Sequence, residues 1–314
     1  MRKLAVVAFG GNALLKAGQQ GTIDEQEENA FKAAENILNL MNRKYNLVLT
    51  HGNGPQVGNV LLANSAGSKL YGIPEMPMDI CGAYTQGFIG YVLEQQLRNV
   101  LMKEDKERDI ITLITQVLVD KNDPAFKNPT KPVGPYYSKE DAIEFMKKSK
   151  SIFKEDARGR GWRKVVASPE PLVIYNQKTI EKIAREGHIV IAVGGGGIPC
   201  FFVEENKLQG IDAVIDKDLA SSRLAVGIRA DKFFILTDVA KVFVNFNTPQ
   251  EKAMDRMTLE ETKRYLAEGQ FGEGSMAPKI RAAINFVERT GKDTIITEPG
   301  KLGIDNGGTR ITMV

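Results

Sequence analysis

The sequence predicts an α/β fold built around a parallel sheet, on three observations. Apolar runs of strand type occur at 3–9 and 46–50 without interruption, as in strands buried on both faces of such a sheet. Between them, apolar residues recur at helical intervals from Ala30 to Met41. Both runs end in glycine, and a third run, IVIAV, ends in GGGG at 194–197. Strands that alternate with crossover helices are typical of α/β proteins.

Further elements continue the alternation. Asp24 and Glu27 have the spacing of a capping box at the start of the first helix. A second, long helix is predicted to begin at Asp79, and the run DIITLITQVLV at 109–119 predicts one strand. One face of the long helix carries the apolar residues Ile80, Ala83, Tyr84, Phe88, Tyr91 and Val92.

The chain divides into two predicted halves, 1–170 and 171–314. From about 120 to 164 the apolar period gives way to proline, lysine and tyrosine, which indicates a small subdomain inserted in the first half. The chain is predicted to close with the strand TIIT and a hairpin around DNGG at 305–308.

The composition favours a small molecule as the partner. The chain has 314 residues, 42% of them hydrophobic, and a net charge of +3 from 42 basic and 39 acidic residues. This near balance argues against nucleic acid or an acidic membrane as the main partner. Cys81 and Cys200 lie far apart in apolar or glycine-rich surroundings, which indicates buried thiols in a reducing compartment. Without a membrane-length apolar run or a cleavable leader, a cytoplasmic location is expected.

Glycine loops follow three of the predicted strands, at 10–12, 51–54 and 194–197. Ligands of open parallel sheets bind where such loops converge, and glycine lets backbone N–H groups approach a phosphate or carboxylate. Two nucleotide signatures are absent, because there is no G-x-x-x-x-G-K-[ST] and HGNGPQVG has the wrong spacing for a dinucleotide fingerprint. Since the first loop lacks lysine, cations for a phosphoryl group must come from elsewhere.

Three lysines have unusual surroundings. Lys131 lies in NPTKPVGP, where prolines stiffen the backbone enough to extend a cationic side chain from a lid. Lys217 stands between Asp216 and Asp218 at the start of a predicted helix. Lys279 lies in the first turn of another helix, where a cation opposes the helix dipole unless an anion is present. We expect these lysines to serve an anion site.

The histidines offer little acid–base chemistry, since the chain has only His51 and His188. His51 borders the second glycine loop, where a substrate hydrogen bond and a structural role both remain open. His188 opens a buried strand and is expected to be structural. The basic segment KKSKSIFKEDARGRGWRK is interrupted by Glu155 and Asp156, which argues against a nucleic-acid site.

Eight motifs together resemble the carbamate kinases of the amino-acid kinase family. They span nearly the whole chain in the order GGNAL, HGNGPQVG, NPTKPVGPYY, GRGWRKVVASPEP, GGGGIPC, AVIDKDLAS, LTDV and GSMAPK. The resemblance implies an open, mainly parallel αβα sandwich with a protruding subdomain. It also implies Mg²⁺-dependent phosphoryl transfer between ATP and carbamate, giving ADP and carbamoyl phosphate, and a homodimer.

The resemblance also implies roles for individual residues. Lys131, Lys217 and Lys279 would be catalytic, with Asp218 orienting the last two. The carbamate would lie on the N-terminal half and the nucleotide on the C-terminal half, with Mg²⁺ held mainly through nucleotide phosphates. The substrate-binding residues would be Gly10, Gly11, Asn12, Gly52 and Asn53, and the nucleotide-binding residues Asp238, Gly274, Ser275, Met276 and Pro278. Ala277 departs from the family, which has glycine there.

Two other functions stay open at this point. One is an amino-acid kinase that phosphorylates a carboxylate such as acetylglutamate, although such enzymes carry a lysine in the first loop. The other is a catalytically silent nucleotide-binding sensor, against which the joint presence of the three lysines and Asp218 argues.

Overall fold

The computed structural model describes residues 2–10, 14–16, 18–148, 151–156 and 159–314. The strands are β1 (Lys3–Phe9), β2 (Tyr45–His51), β3 (Ile110–Thr112), β4 (Gln116–Leu118), β5 (Lys131–Tyr137), β6 (Ile152–Glu155), β7 (Trp162–Val166), β8 (Val173–Ile174), β9 (Ile189–Ile191), β10 (Ile198–Glu204), β11 (Lys207–Gly210), β12 (Lys232–Leu236), β13 (Val242–Val244), β14 (Lys252–Met254), β15 (Arg256–Thr258), β16 (Thr294–Thr297) and β17 (Thr309–Thr312). The helices are α1 (Ile23–Asn42), α2 (Gly54–Tyr71), α3 (Met78–Lys103), α4 (Lys139–Lys148), α5 (Gln177–Glu186), α6 (Lys217–Gly227), α7 (Leu259–Ala267) and α8 (Ala277–Thr290). None of the helices in these ranges is both long and apolar enough to span a bilayer.

An eight-stranded sheet forms the centre, in the order β15-β17-β16-β12-β1-β2-β9-β3. Its strands from β16 to β3 are parallel, and β17 pairs antiparallel with β16. The prediction of an open, mainly parallel sheet is confirmed. The sheet also runs through both halves of the sequence, because β9, from the second half, lies between β2 and β3.

Helices cover both faces of this sheet. Side chains of a strand alternate between faces, and those of β1 enter two different cores. Val6 and Ala8 lie in the core formed with α5, α6 and α8, whereas Val7 and Phe9 lie in the core formed with α1 and α3. All four are at most 1% exposed. This arrangement is the predicted αβα sandwich.

Smaller sheets complete the fold. Strands β11-β10-β4-β8 form one sheet, β13 and β14 pair with each other, and β5-β7-β6 form an antiparallel sheet that we call the inserted sheet. Three aromatic rings, of Tyr137, Phe145 and Phe153, pack against one another between the inserted sheet and α4, with centroids 5.2–5.8 Å apart. Arg163, from the motif GRGWR, donates to the Gly134 carbonyl from Nε and Nη2 at 2.9 and 2.6 Å. That motif therefore joins β7 to β5.

Several local predictions were wrong. The run 109–119 forms two strands, β3 and β4, in different sheets, because at Thr115 the backbone N–H bonds to the Gln86 side chain rather than to a neighbouring strand. The capping box of α1 consists of Thr22 and Glu25, not Asp24 and Glu27. Helix α2 was not predicted.

Two further predictions concern the chain's end and its thiols. Strands β16 and β17 do pair antiparallel, but they are joined by residues 298–308 instead of a tight hairpin. Cys81 and Cys200 are both buried and unbridged, as predicted.

The inserted sheet rests closely on α2. A Cβ atom built on Gly58 of α2 would lie 2.4 Å from the Gly134 Cα of β5, closer than atoms can approach. We expect Gly58→Ala to lower the free energy of unfolding by about 1–3 kcal/mol, the usual effect of overpacking. Urea unfolding followed by circular dichroism measures this difference.

Gly67→Ala is the matched control in the same helix. A Cβ there would meet the Ile73 Cδ1 atom at 3.6 Å, an ordinary contact, so alanine should be neutral or slightly stabilising. Equal stability of the two variants would contradict the close packing of β5 on α2.

Candidate active site

The glycine loops leave the sheet at one edge. Phe9 of β1 pairs with His51 of β2, and Leu49 of β2 pairs with Ile191 of β9. Gly10, Gly52 and the loop at 194–197 therefore follow the carboxyl ends of adjacent parallel strands. Gly11 and Asn12 lie outside the described residues.

Glycine is required where the loop at 194–197 meets its neighbours. An added Cβ would lie 2.4 Å from the His51 Nε2 atom at Gly194, and 2.3 Å from the Asn53 Nδ2 atom at Gly195. At Gly196 it would lie 2.3 Å from the Ile215 carbonyl oxygen, just before α6. The loop thus fills the space between the second glycine loop and the start of α6, and the expected convergence of these two loops is confirmed.

Sequence reasoning missed the side chain that holds this loop. Gln86, buried on α3, donates from Nε2 to the carbonyl oxygens of Gly194 (2.9 Å) and Thr115 (3.2 Å). Its Oε1 atom accepts from the Thr115 N–H at 2.8 Å. The sequence did hold one signal for this role, because Gln86 lies in a stretch of α3 without charged residues, where a polar side chain is expected to need a buried partner.

Asn53 shapes the start of α2. It occupies the N-cap position, but its side chain makes no cap hydrogen bond and donates instead to the Thr85 Oγ1 atom at 2.8 Å. Among the residues that the structure describes, no side chain therefore caps the first turn of α2. Uncapped N–H groups and the positive end of the helix dipole favour an oxyanion at this position.

The structure brings Lys217 and Lys279 together on one carboxylate. Asp218 contacts Lys217 through Oδ1 and the Lys279 Nζ atom through Oδ2, the latter at 3.5 Å. The Asp218 side chain is 4% exposed. The lysines come from the first turns of α6 and α8, as predicted, and buried Asp218 offsets part of their charge.

Lys131 reaches the same place from the inserted sheet. Its Nζ atom lies 2.7 Å from the Asp216 Oδ2 atom. The other oxygen of Asp216 caps α6 by accepting from the N–H groups of Asp218 (2.9 Å) and Leu219 (3.3 Å). Burial alone would raise the pKa of Asp216, but Lys131, with Lys217 and the Leu219 N–H group, lowers it to about 2. Asp216 is thus charged at neutral pH and joins the inserted sheet to α6.

Two groups at the site have pKa values set by burial. Burial, reinforced by Lys279, lowers the pKa of the Lys217 ammonium despite the opposing effect of Asp218. Burial also lowers the pKa of His51 to about 4, with a contribution from Lys217, although the Gly52 carbonyl partly offsets this. His51 is therefore neutral at physiological pH.

The predicted nucleotide residues lie at two places near the same edge. Asp238 follows β12, while Gly274, Ser275 and Met276 form the loop before α8 and Pro278 lies in its first turn. The Lys279 Nζ atom donates to the Ser275 carbonyl at 3.0 Å, which ties this loop to the lysine cluster.

Ala277 begins α8 with its methyl group fully buried in the hydrophobic core. Among the residues that the structure describes, no three His, Cys, Asp or Glu side chains form a potential metal site.

A sequence model of the amino acid kinase family matches residues 3–298. The chain belongs to this family. This amino acid kinase is 49% identical to a carbamate kinase of Pyrococcus furiosus over 94% of each chain, and 46% identical to carbamate kinase 2 of Staphylococcus aureus over the whole of both. Its structure resembles that of a Giardia lamblia carbamate kinase bound to AMP-PNP, with a TM-score of 0.91, 44% identity and coverage of 99% and 98%.

Buried His51 should make the stability of this amino acid kinase depend on pH. Because the pKa of His51 is about 4 when folded and ordinarily 6.5, its neutral form favours folding. This contribution to the free energy of unfolding is complete above pH 6.5 and is lost as the pH falls through 4. Since one pKa unit corresponds to about 1.4 kcal/mol, the loss amounts to about 3 kcal/mol. The titration of the His51 Cε1 signal by NMR and urea unfolding across pH 4–7 measure it.

His51→Gln should lack this part of the pH dependence, whereas the control His188→Gln should retain it. Titration of His51 near 6.5, or the same pH profile in both variants, would show that His51 is not held neutral by burial.

Proposed function

We propose that the protein is a carbamate kinase, which transfers a phosphoryl group reversibly between ATP and carbamate. The observation that carries this proposal is the assembly of Lys131, Lys217 and Lys279 around Asp216 and Asp218 beside two converging glycine loops. Relatives named carbamate kinase, at 46–49% identity and over 94–100% of their length, support the same substrate.

The chemistry needs positive charge more than it needs a base. In one direction a carbamate oxygen attacks the γ-phosphorus of ATP, the bond to the β-phosphate oxygen breaks, and ADP leaves. In the other direction a β-phosphate oxygen of ADP attacks the phosphorus of carbamoyl phosphate, and carbamate leaves as an anion. Neither nucleophile has a proton to lose, so neutral His51 need not act as a base. Positioning and neutralisation of like-charged reactants dominate such reactions.

We assign the residues accordingly. Lys217 and Lys279 neutralise the transferring phosphoryl group, Asp218 orients them, and Lys131 contacts carbamoyl phosphate from the inserted sheet. The N-terminal half, 1–170, binds carbamate through Gly10, Gly11, Asn12, Gly52 and Asn53. The C-terminal half, 171–314, binds ATP or ADP through Asp238, Gly274, Ser275, Met276 and Pro278.

Magnesium enters with the nucleotide. Asp216 and Asp218 are already ion-paired with lysines, and the phosphate oxygens are the remaining hard ligands that Mg²⁺ prefers. When bound, the ion supplies further neutralisation of phosphate charge. We infer a role in making ATP during breakdown of arginine or related ureido compounds. That the protein acts in the cytoplasm stays a prediction.

We predict that the purified protein makes ATP from ADP and carbamoyl phosphate with Mg²⁺, measured with luciferase. Lys217→Ala should lower kcat by roughly 100-fold or more, because it removes a buried cation from the transferring group. Lys178→Ala, an exposed lysine on α5, is the control and should keep full activity. Circular dichroism and thermal unfolding show whether each variant is folded.

The alternatives predict different results in the same assay. Phosphorylation of acetylglutamate without ATP formation from carbamoyl phosphate would indicate another amino acid kinase. Nucleotide binding without either reaction would indicate a silent sensor.

We also propose a homodimer through the outward face of α3, formed by Ile80, Tyr84, Phe88 and Tyr91. Tyr84 and Tyr91 are 55% and 62% exposed, and no charged residue occurs from 80 to 93. Helix α3 packs against β3, the strand at one edge of the central sheet. A second copy of the same uncharged face is its best chemical match.

The double variant Tyr84→Asp, Phe88→Asp should therefore have the 34.6 kDa mass of one chain in light scattering, whereas the wild type should have twice that mass. Leu70→Asp, which changes a 73% exposed leucine on α2, is the control and should leave the mass unchanged. A wild type with the mass of one chain, or loss of the dimer in the control, would contradict this interface.

A further inference from the structure

A groove lined by arginines lies between α6 and α8, beside the segment that follows β7. Its lining residues include Arg223, Arg281, Asn285, Arg289, Glu170 and Leu172, and its volume is about 310 Å³. We call it the arginine groove. None of the roles assigned above uses it.

The helices hold the guanidinium groups on a fixed frame. Arg281, Asn285 and Arg289 are spaced by four residues and share one face of α8. Buried Ser222 of α6 donates to the Ala282 carbonyl at 2.8 Å and accepts from the Asn285 Nδ2 atom at 2.7 Å. These bonds fasten the two helices to each other, so Arg223 on α6 faces the row on α8.

The guanidinium groups have spare donors. Arg223 uses Nε to donate to the Leu172 carbonyl, and Arg289 uses Nε to donate to the Asn285 Oδ1 atom, both at 2.8 Å. Within the part of the chain that the structure describes, their terminal nitrogens have no protein partner. Arg281 pairs with Glu273 at 2.7 Å, and that glutamate is 75% exposed. A pair so exposed to water contributes little and can exchange for another anion.

The groove has more positive than negative charge. Glu170 is the acidic residue among its described lining residues, against three arginines. Burial, with Asp123 and Asp216, raises the pKa of Glu170, although Arg281 and Arg223 oppose this. Glu170 and Glu273 offset only part of the charge of the three arginines, and an anion bound between them would relieve the remaining repulsion.

We propose that the arginine groove binds a small oxyanion with two or more negative charges, of phosphate or pyrophosphate chemistry. A planar guanidinium group can donate two parallel hydrogen bonds to two oxygens of a phosphate group. A phosphate has enough oxygens to contact more than one arginine in this way, whereas a single carboxylate would pair with one arginine only. The volume of the groove is large enough to admit either anion. The groove adjoins the first turns of α6 and α8, because Leu219 and Arg281 lie two residues beyond Lys217 and Lys279.

Pyrophosphate binding by titration calorimetry tests the groove. All variants carry Lys217→Ala, which weakens binding at the lysine cluster and leaves the groove intact. In that background Arg223→Gln with Arg289→Gln should weaken pyrophosphate binding at least tenfold. The control, Arg98→Gln with Arg264→Gln, removes the same charge from exposed arginines on α3 and α7 and should leave the affinity within twofold.

Arg289→Gln alone is a milder variant, because it breaks no ion pair among the described residues and is therefore expected to fold. It should still weaken pyrophosphate binding severalfold. Equal affinities of the groove variant and the charge-matched control would overturn the proposal, as would the absence of pyrophosphate binding in the Lys217→Ala background at millimolar concentration. These binding measurements do not depend on whether the protein is a carbamate kinase.

Discussion

The site depends on two carboxylates at the start of α6. Lysines from the inserted sheet, α6 and α8 would repel one another if they converged alone, and burial would add a desolvation cost. Asp216 and Asp218 offset both effects, since each pairs with lysine and Asp216 also caps the helix. Without them, the positive end of the helix dipole would oppose Lys217 as well. The carboxylates thus permit a cationic site to exist before any phosphate arrives.

The parallel sheet supplies the other half of the site. Its adjacent strands deliver the glycine loops to one edge, and the contacts of Gly194 and Gly195 with His51 and Asn53 leave no space for a side chain. Gln86 then fixes the loop from α3 through bonds to two carbonyl groups. The neutral part of the site is therefore held by close packing and by hydrogen bonds from an uncharged side chain, while its charged part is held by ion pairs.

Local patterns predicted much of this arrangement, and long-range pairings account for what they missed. Strand runs, glycine loops and the three lysines could be identified because each is defined by its neighbours in sequence. The partner of Lys131 could not, since Asp216 lies 85 residues away and meets it only through the inserted sheet. Helix α3 shows a second limit. It has apolar residues on two faces. On the face noted in the sequence, Tyr84 and Phe88 are exposed although Val92 is buried, whereas Gln86 and Ile89 lie on the buried face. Periodicity alone does not tell an outward apolar face from a core face.

The charge count of the cluster explains why the first glycine loop can do without lysine. Three lysines and two carboxylates leave one net positive charge, carried by groups that are already paired. In the proposed reaction, an incoming phosphoryl group, with more charge than either carboxylate, would compete with Asp216 and Asp218 for the same ammonium groups. Lys131 belongs to a separate sheet, and its ion pair with Asp216 links that sheet to the start of α6. If Lys131 exchanged Asp216 for an anion, the anion would take the place of this link, whereas a lysine in the first loop would add charge without touching it.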